Sequence, residues 1–447
     1  MIKKQPAIPK WNFPPAYYDV SRKTLETALS KVDLYKSWRA LDPGKEADID
    51  SRYAAMPALT KKDIRENFPM SILPDDKNME QGLASGEIEL VNTSGTTNEK
   101  ITNIWNQEWW DASEQASWKI NKYMAGLGKG THREAILVNP RNVGFASDNA
   151  DLPMEKRRLS RFLYLNEKTD PELWTEKHID RITEELNTFQ PQVLEANPSI
   201  LARYCRKAAA RGLKVFQPDI ITFTYEYPIR LHYRQIGKIF SSPMISSYGT
   251  TETGYVFMQC EHGNFHQNTG YCRVDFEPLK IEHGGPLLGR ILVTPMGNPW
   301  SYLMRFDTGD LVYLKEDGKC PCGRDDGIIL ASIAGRTVNL TKTCRGRLVT
   351  LQELDDVISR IAGLAMYKLV QTGEKTYDLH IVTAGNDTRK LDSEATDQLK
   401  GIYGDEAEIR VIYDEEIMHE PSGKYLVSRA EFEIKIEEYI NRGEPAA

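Results

Sequence analysis

The stretch Met244-Ile245-Ser246-Ser247-Tyr248-Gly249-Thr250-Thr251-Glu252 decides how this chain is read. It opens as a short strand and ends in a turn that carries an aromatic ring, a glycine, two hydroxyls and a carboxylate. A ring can stack on a base, hydroxyls can meet phosphate and a carboxylate can hold Mg2+. The plain alternative is a polar turn. Upstream, strand-like runs alternate with helical segments. Strands are expected at 135–138 (AILV), 193–196 (VLEA) and 220–226 (IITFTYE), with helices over 170–187 and 200–211. This rhythm predicts a mainly parallel sheet with helices on its faces.

Working outward, the chain before residue 85 reads as helical and irregular, with helices over 21–37 and 60–66. A strand is expected at 87–92 and a Trp-rich helix over 108–124. After Thr251 the pattern becomes short strands and hairpins (YVFMQC, GRILVT, LVYL, IILA). From about Gly335 an α+β tail follows. It has helices over 351–361, 393–403 and 429–441, and strands near 366–371, 378–382 and 408–413. The expected architecture is α/β, with a large domain of several subdomains at 1–335 and a small mobile α+β domain at 336–447.

Composition narrows the function classes. The 447 residues are 27% charged and 40% apolar with a formal net charge of -7, so no basic surplus points to nucleic acid. No run approaches the roughly 18 apolar residues of a membrane span, and the lysines near the start are not followed by an apolar core. The expectation is a soluble cytoplasmic protein without nucleic-acid or membrane partners; assembly as a homodimer stays open.

Three further motifs carry chemistry. Thr93-Ser94-Gly95-Thr96-Thr97 follows a strand, and its hydroxyls and amides suit phosphate oxygens. Arg305-Phe306-Asp307-Thr308-Gly309-Asp310, followed by Gly335-Arg336, sets a carboxylate in a glycine turn, where it can hold both hydroxyls of a ribose. Pro421-Ser422-Gly423-Lys424 places an ammonium after a turn, able to reach an anionic centre. Each alone is a common loop.

Taken together, their order and spacing resemble the adenylate-forming superfamily of acyl-CoA ligases and luciferases, and most of all its short phenylacetate–CoA ligase and CapK-like branch. Asn197-Pro198-Ser199-Ile200-Leu201 looks like that branch's Pro-Ser-x-x-Leu element, and Tyr225-Glu226 like its Gly-Glu or Ala-Glu element. The stretch 335–353 resembles its Gly-Arg-Ser-Asp-Asp…Arg-Gly-Val-Asn-Val-Phe-Pro segment. The resemblance implies that Thr93, Ser94, Gly95, Thr96 and Thr97 grip the phosphates of ATP. Tyr248, with Gly249, Thr250 and Glu226, would border the nucleotide. Thr251 would contact phosphate, and Glu252 would hold Mg2+. Asp310 and Arg336 would bind ribose, and Lys424 would stabilise adenylation. Arg345-Gly346 would line the pantetheine tunnel of coenzyme A. Two departures stand out. The phosphate loop reads TTNEK where a second glycine and a proline are usual, and the hinge aspartate falls on Val338 or Asn339.

The implied reaction is ATP-dependent activation of a carboxylic acid as acyl-AMP, then transfer to coenzyme A. Phe223, Tyr225 and Tyr227 suggest an aryl or arylacetic acid. The alternatives are transfer to a carrier protein or an amine, AMP transfer to a cofactor hydroxyl, and a nucleotide-binding regulator without turnover.

A metal signal stands apart. Cys320-Pro321-Cys322 lies downstream of Cys260-Glu261-His262-Gly263-Asn264-Phe265-His266. Three thiols and one imidazole suit a closed, structural tetrahedral Zn2+ site. The histidine is His266 or His262, and the resembled branch favours His266. Cys205, Cys272 and Cys344 read as ordinary packed or surface residues.

Overall fold

The computed structural model describes residues 7–92, 101–127, 130–170, 173–383, 388–420 and 425–442. The motif at 93–97 and Lys424 lie outside the described residues. Contacts divide the chain into two units. The first comprises 1–125, 247–332 and 440–447, and the second 126–246 and 333–439. The expected boundary at 335/336 concerns motion, which contact density does not measure.

In the first unit, strands are ordered Cys272–Pro278, Leu288–Pro295, Phe306–Leu314, Ile329–Arg336, Phe265–Gln267, Gly254–Gln259 and Met244–Thr250. The last of these begins in the second unit, and Ile329–Arg336 ends there. Around them pack helices from the first hundred residues. Leu25, Val32, Tyr35, Tyr53, Leu59, Ile64, Trp300 and Phe306 form one apolar core. Helix Pro15–Lys31 starts on a proline at its first turn, where the missing N–H costs nothing. Helix Lys61–Asn67 is fixed by a capping box between Thr60 and Asp63. The expected helix over 108–124 is two pieces, Gln107–Trp118 and Lys122–Ala125.

The second unit holds the predicted βα layer. Strands Phe162–Tyr164, Glu134–Leu137, Val193–Ala196, Ile220–Phe223 and the start of Met244–Thr250 pair in parallel. Glu134–Leu137 and Ile220–Phe223 are buried end to end, as suits strands covered on both faces of the sheet. Helices Glu176–Phe189 and Pro198–Ala210 pack on it around Leu137, Leu163, Leu186, Leu201 and Phe223. The helix expected over 170–187 starts at Glu176 because the Thr175 side chain caps it there.

The same unit carries a smaller α/β layer, a four-stranded sheet ordered Glu408–Tyr413, Thr376–Thr383, Leu364–Gln371 and Ser428–Ala430. Helices Leu351–Ile358 and Thr388–Tyr403 complete it. The fold class expected from sequence is therefore present. The terminal helix expected over 429–441 is absent: a strand, Ser428–Ala430, runs parallel to Leu364–Gln371, and only a 3-10 turn at Ile436–Glu438 follows. Phe432, Ile434 and Ile436 recur every second residue, an extended period that the helical reading overlooked.

Candidate nucleotide and metal sites

Tyr248 and Asp310 come together in the first unit. Thr308 and Asp310 are two apart on strand Phe306–Leu314, so they share a face. The Tyr248 hydroxyl donates to Asp310 Oδ2 at 2.8 Å and lies 3.3 Å from Thr308 Oγ1. The opposite parity serves structure: Asp307 accepts from Arg290 at 3.0 Å, and Arg305 donates to Glu277 at 2.8 Å. Gly249 answers a packing demand, since a Cβ there would lie 2.2 Å from the Gly254 carbonyl oxygen.

Beyond that strand, Thr250 and Thr253 join through their hydroxyls at 3.0 Å, which tightens the turn bearing Thr251 and Glu252. Glu252 is buried, and its carboxylate sits 3.6 Å from Lys61 Nζ. Lys61 is brought there by Leu59, whose backbone exchanges hydrogen bonds with Arg305 and Asp307 at 3.0 and 2.9 Å. A carboxylate oxygen is the donor type Mg2+ takes, so Glu252 fits that ion, with Lys61 as its present counter-charge.

Cys260, His266, Cys320 and Cys322 offer ligand atoms that all lie within 4.8 Å of one another. The Cys260 and Cys320 sulfurs are 3.6 Å apart, and Cys322 Sγ is 3.3 Å from His266 Nε2. A tetrahedron with metal–sulfur bonds of about 2.3 Å has edges of about 3.8 Å, so the donor set fits Zn2+ in chemistry and in scale. His262 is outside the cluster. It is exposed, and its amide donates to Cys260 Sγ at 3.4 Å. Burial pushes the Cys260 thiol up to about 12 and pulls His266 down to about 4, so without an ion both are neutral near pH 7. Burial also raises Cys322, but hydrogen bonds from the Arg324 amide and guanidinium and from the Cys320 and Cys260 thiols together bring it below its ordinary value. Cys205 and Cys272 are buried, consistent with packing roles.

In the second unit, Tyr225 takes a left-handed backbone (φ 66°) just after strand Ile220–Phe223. That geometry favours glycine and costs a tyrosine roughly 1–2 kcal/mol. Next to it, the Glu226 carboxylate accepts from Ser199 Oγ at 2.5 Å and from the Tyr425 amide at 2.7 Å. Phe223, read from sequence as a pocket residue, is instead fully buried in the βα core. Arg336 caps the turn at Thr337–Asn339, its amide donating to Asn339 Oδ1 at 3.3 Å. Arg345 and Gly346 form the exposed tip between strands Thr341–Lys342 and Leu348–Val349, with Gly346 at φ 81°.

No protein-family model and no curated protein matches this sequence. Solved structures do. The fold is that of acyl-CoA ligases. 2-Hydroxyisobutyryl-CoA ligase in the postadenylation state with 2-HIB-AMP is 14% identical with a TM-score of 0.69, over 96% of this chain and 94% of that one. The same ligase with 2-HIB-AMP and CoA in its thioesterification state is 16% identical with a TM-score of 0.56, over 94% of this chain and 91% of the ligase. The anthranilate CoA ligase AuaEII with anthranoyl-AMP is 12% identical with a TM-score of 0.51, over 75% and 65%. At such identities the likeness is one of fold. Among the described residues, no helix is long and apolar enough to cross a membrane.

Several neighbours of these residues escaped the sequence reading. Thr308 and Ser199 sat inside quoted motifs and had a signal. Lys61 and His419 had none, because only the fold brings them to Glu252 and Ser199.

Proposed function

We propose that the protein activates a carboxylic acid with ATP as acyl-AMP and passes the acyl group to coenzyme A, an acid–thiol ligase of the phenylacetate–CoA ligase kind. The observation that carries this reading is the Tyr248–Asp310 pair, set at the end of the strand that decided the fold, in a chain that shares almost its whole length with a CoA ligase. In this reading Asp310 binds ribose, with Tyr248 orienting the carboxylate and offering its ring to the base. Arg336 joins at the ribose, Thr251 and residues 93–97 take phosphates, and Glu252 takes the Mg2+ of the nucleotide. Lys424 neutralises charge as the acid's carboxylate attacks the α-phosphate, a step governed by positioning and electrostatics.

The domain at 336–447 would alternate between two positions, and Arg345-Gly346 would meet the pantetheine arm in the second. 2-Hydroxyisobutyryl-CoA ligase itself is seen in a postadenylation and in a thioesterification state. Zn2+ held by Cys260, His266, Cys320 and Cys322 would be structural: three thiolates and an imidazole close the tetrahedron and leave no open position for catalysis.

The test is ATP–pyrophosphate exchange over a panel of aryl, arylacetic and short hydroxy acids, followed by thioester formation with free CoA. Exchange with one acid class and a CoA thioester support the reading. Exchange without a CoA thioester moves the acceptor to a carrier protein, an amine or a cofactor hydroxyl. Absence of exchange with every acid removes the ligase reading.

A further inference from the structure

Glu226, which the resemblance would set beside the nucleotide, belongs to a polar cluster of the second unit. Ser199 Oγ lies 2.5 Å from Glu226 Oε2 and 3.1 Å from His419 Nε2. Serine, histidine and glutamate in contact suggest nucleophilic catalysis, and the geometry rules that out. An activated serine gives its proton to the imidazole, and the carboxylate holds the far ring nitrogen. Here the carboxylate is on the serine, and His419 Nδ1 is buried with no partner among the described residues.

The proton order therefore runs the other way. Ser199 has one proton and gives it to Glu226, so it accepts from His419 Nε2–H. Burial holds His419 neutral, its pKa drawn down to about 4, and a neutral ring has the single N–H this requires. The second Glu226 oxygen accepts the Tyr425 amide at 2.7 Å. The chain of donors ends on one carboxylate, which joins His419 and Tyr425 to the start of helix Pro198–Ala210.

A parallel tie lies one turn further along the helix. Arg203, four residues after Ser199, donates to Glu416 at 2.8 Å, with Arg206 at 3.3 Å. Glu416 precedes His419 by three. On its other side the segment meets the small sheet: Lys368 donates to Glu420 at 3.3 Å, and the Tyr425 hydroxyl donates to the Tyr367 carbonyl. Ile417 is buried beside Ala365 and Val382. Residues 414–420 and Tyr425 thus strap the small sheet to the helix face that carries Ser199.

We propose that Ser199 is a positioning residue for adenylation: by joining His419 to Glu226 it fixes the strap whose end, Tyr425, follows Lys424 in the sequence. This rests on the ligase reading. Ser199 touches no substrate in it and acts through the strap.

The experiment compares wild type, Ser199→Ala and Ser199→Thr in the full-length protein. Its readouts are pyrophosphate exchange with the acid the panel selects, CoA-thioester formation from the synthetic acyl-adenylate, and amide hydrogen exchange over 414–420 and at Tyr425. Loss of a hydrogen bond to a carboxylate predicts that Ser199→Ala lowers pyrophosphate exchange about tenfold or more. Thioester formation should stay near wild type, Tyr425 should lose amide protection, and Ser199→Thr should restore most of both. Unchanged Tyr425 protection in Ser199→Ala overturns the proposal, as does equal loss in both half-reactions that threonine does not rescue. If the wild type exchanges no pyrophosphate with any acid, the ligase reading fails separately. Amide protection at Tyr425 then still decides whether Ser199 fixes the strap, and the assigned role in adenylation falls with the reading.

Discussion

The Cys/His cluster of the first unit and the Ser199–Glu226–His419 cluster of the second are built on opposite plans. In the first, four donor atoms converge within 4.8 Å, a spacing at which one tetrahedral ion can take all four. In the second, each polar group is spent on another member, and the one ring nitrogen left over, His419 Nδ1, is buried. One arrangement has the donors to take up an ion, and the other holds two parts of the chain together. The contrast also decides what a sequence reveals. Ligands of one ion arrive as short pairs, 260/266 and 320/322, because coordination restricts spacing. Ser199 and His419 are 220 residues apart, and nothing local in either marks the other.

Removing metal should produce the largest effect. Freshly purified, chelator-free protein should contain about one Zn per chain, and Cys322→Ser should lose it. Apparent binding energies of structural zinc run to about 10 kcal/mol or more in small domains. In this larger core the loss should lower the melting temperature by about 5 °C or more, at the usual few degrees per kcal/mol. Amide exchange should rise around 254–267 and 315–328 and stay unchanged at Tyr425. Zinc-free native protein, or a loosening that reaches Tyr425 equally, would remove the contrast between the two clusters.

Lys424→Ala comes next and probes the second region from its functional side. If Lys424 neutralises the adenylation transition state, its loss should cost about 10² to 10³ in pyrophosphate exchange, the scale of a deleted oxyanion contact. A synthetic acyl-adenylate should still become the thioester at close to the wild-type rate. Equal slowing of both half-reactions would make Lys424 a fixed structural residue and end the two-position account of 336–447.

The fold was largely legible because its signals are periodic. The strands at 135–138 and 193–196 lie where apolar runs predicted them, the one expected over 220–226 stops at Phe223 ahead of the left-handed Tyr225, and Glu134–Leu137 and Ile220–Phe223 are buried end to end. The terminal segment misled because Arg429 and the alternating Phe432, Ile434 and Ile436 were given a helical period, while Ser428–Ala430 joins the small sheet as a strand. The site was legible in pieces. Tyr248 and Asp310 lie in separate motifs 62 residues apart, on strands that three others separate in the sheet order, so that they touch is a property of the three-dimensional fold and of nothing local in the sequence. Lys61 beside Glu252 had no signal, since a lysine in the first turn of a helix is ordinarily solvated.

Within the first unit, Asp310→Ala should raise the Michaelis constant for ATP about tenfold or more, by removing a charged acceptor for two ribose hydroxyls. Thermal stability should hardly change. Asp307→Ala makes the control: its carboxylate serves Arg290 on the opposite face of the same strand, so it should cost stability and leave ATP binding near wild type. Reversal of the two outcomes would mean that the ion network on the 305/307 face carries the nucleotide.

The smallest effect, and the finest test of how the first region works, is expected from Tyr248→Phe. The phenylalanine keeps the ring for stacking and deletes only the hydroxyl that donates to Asp310 at 2.8 Å. In the free protein that bond holds the carboxylate in one orientation on the strand face it shares with Thr308, and Thr308 Oγ1 remains beside it after the change. Tyr248 is half-buried, so water can take over part of the lost donation. The net cost should therefore fall below that of a fully buried charged hydrogen bond, at about threefold in the Michaelis constant for ATP with little change in turnover. An effect as large as that of Asp310→Ala would place the hydroxyl itself on the nucleotide. No effect at all would leave Asp310 oriented by its own backbone, with Tyr248 serving through its ring. In the double variant with Asp310→Ala, the tyrosine change should cost nothing further, because the group it orients is already gone.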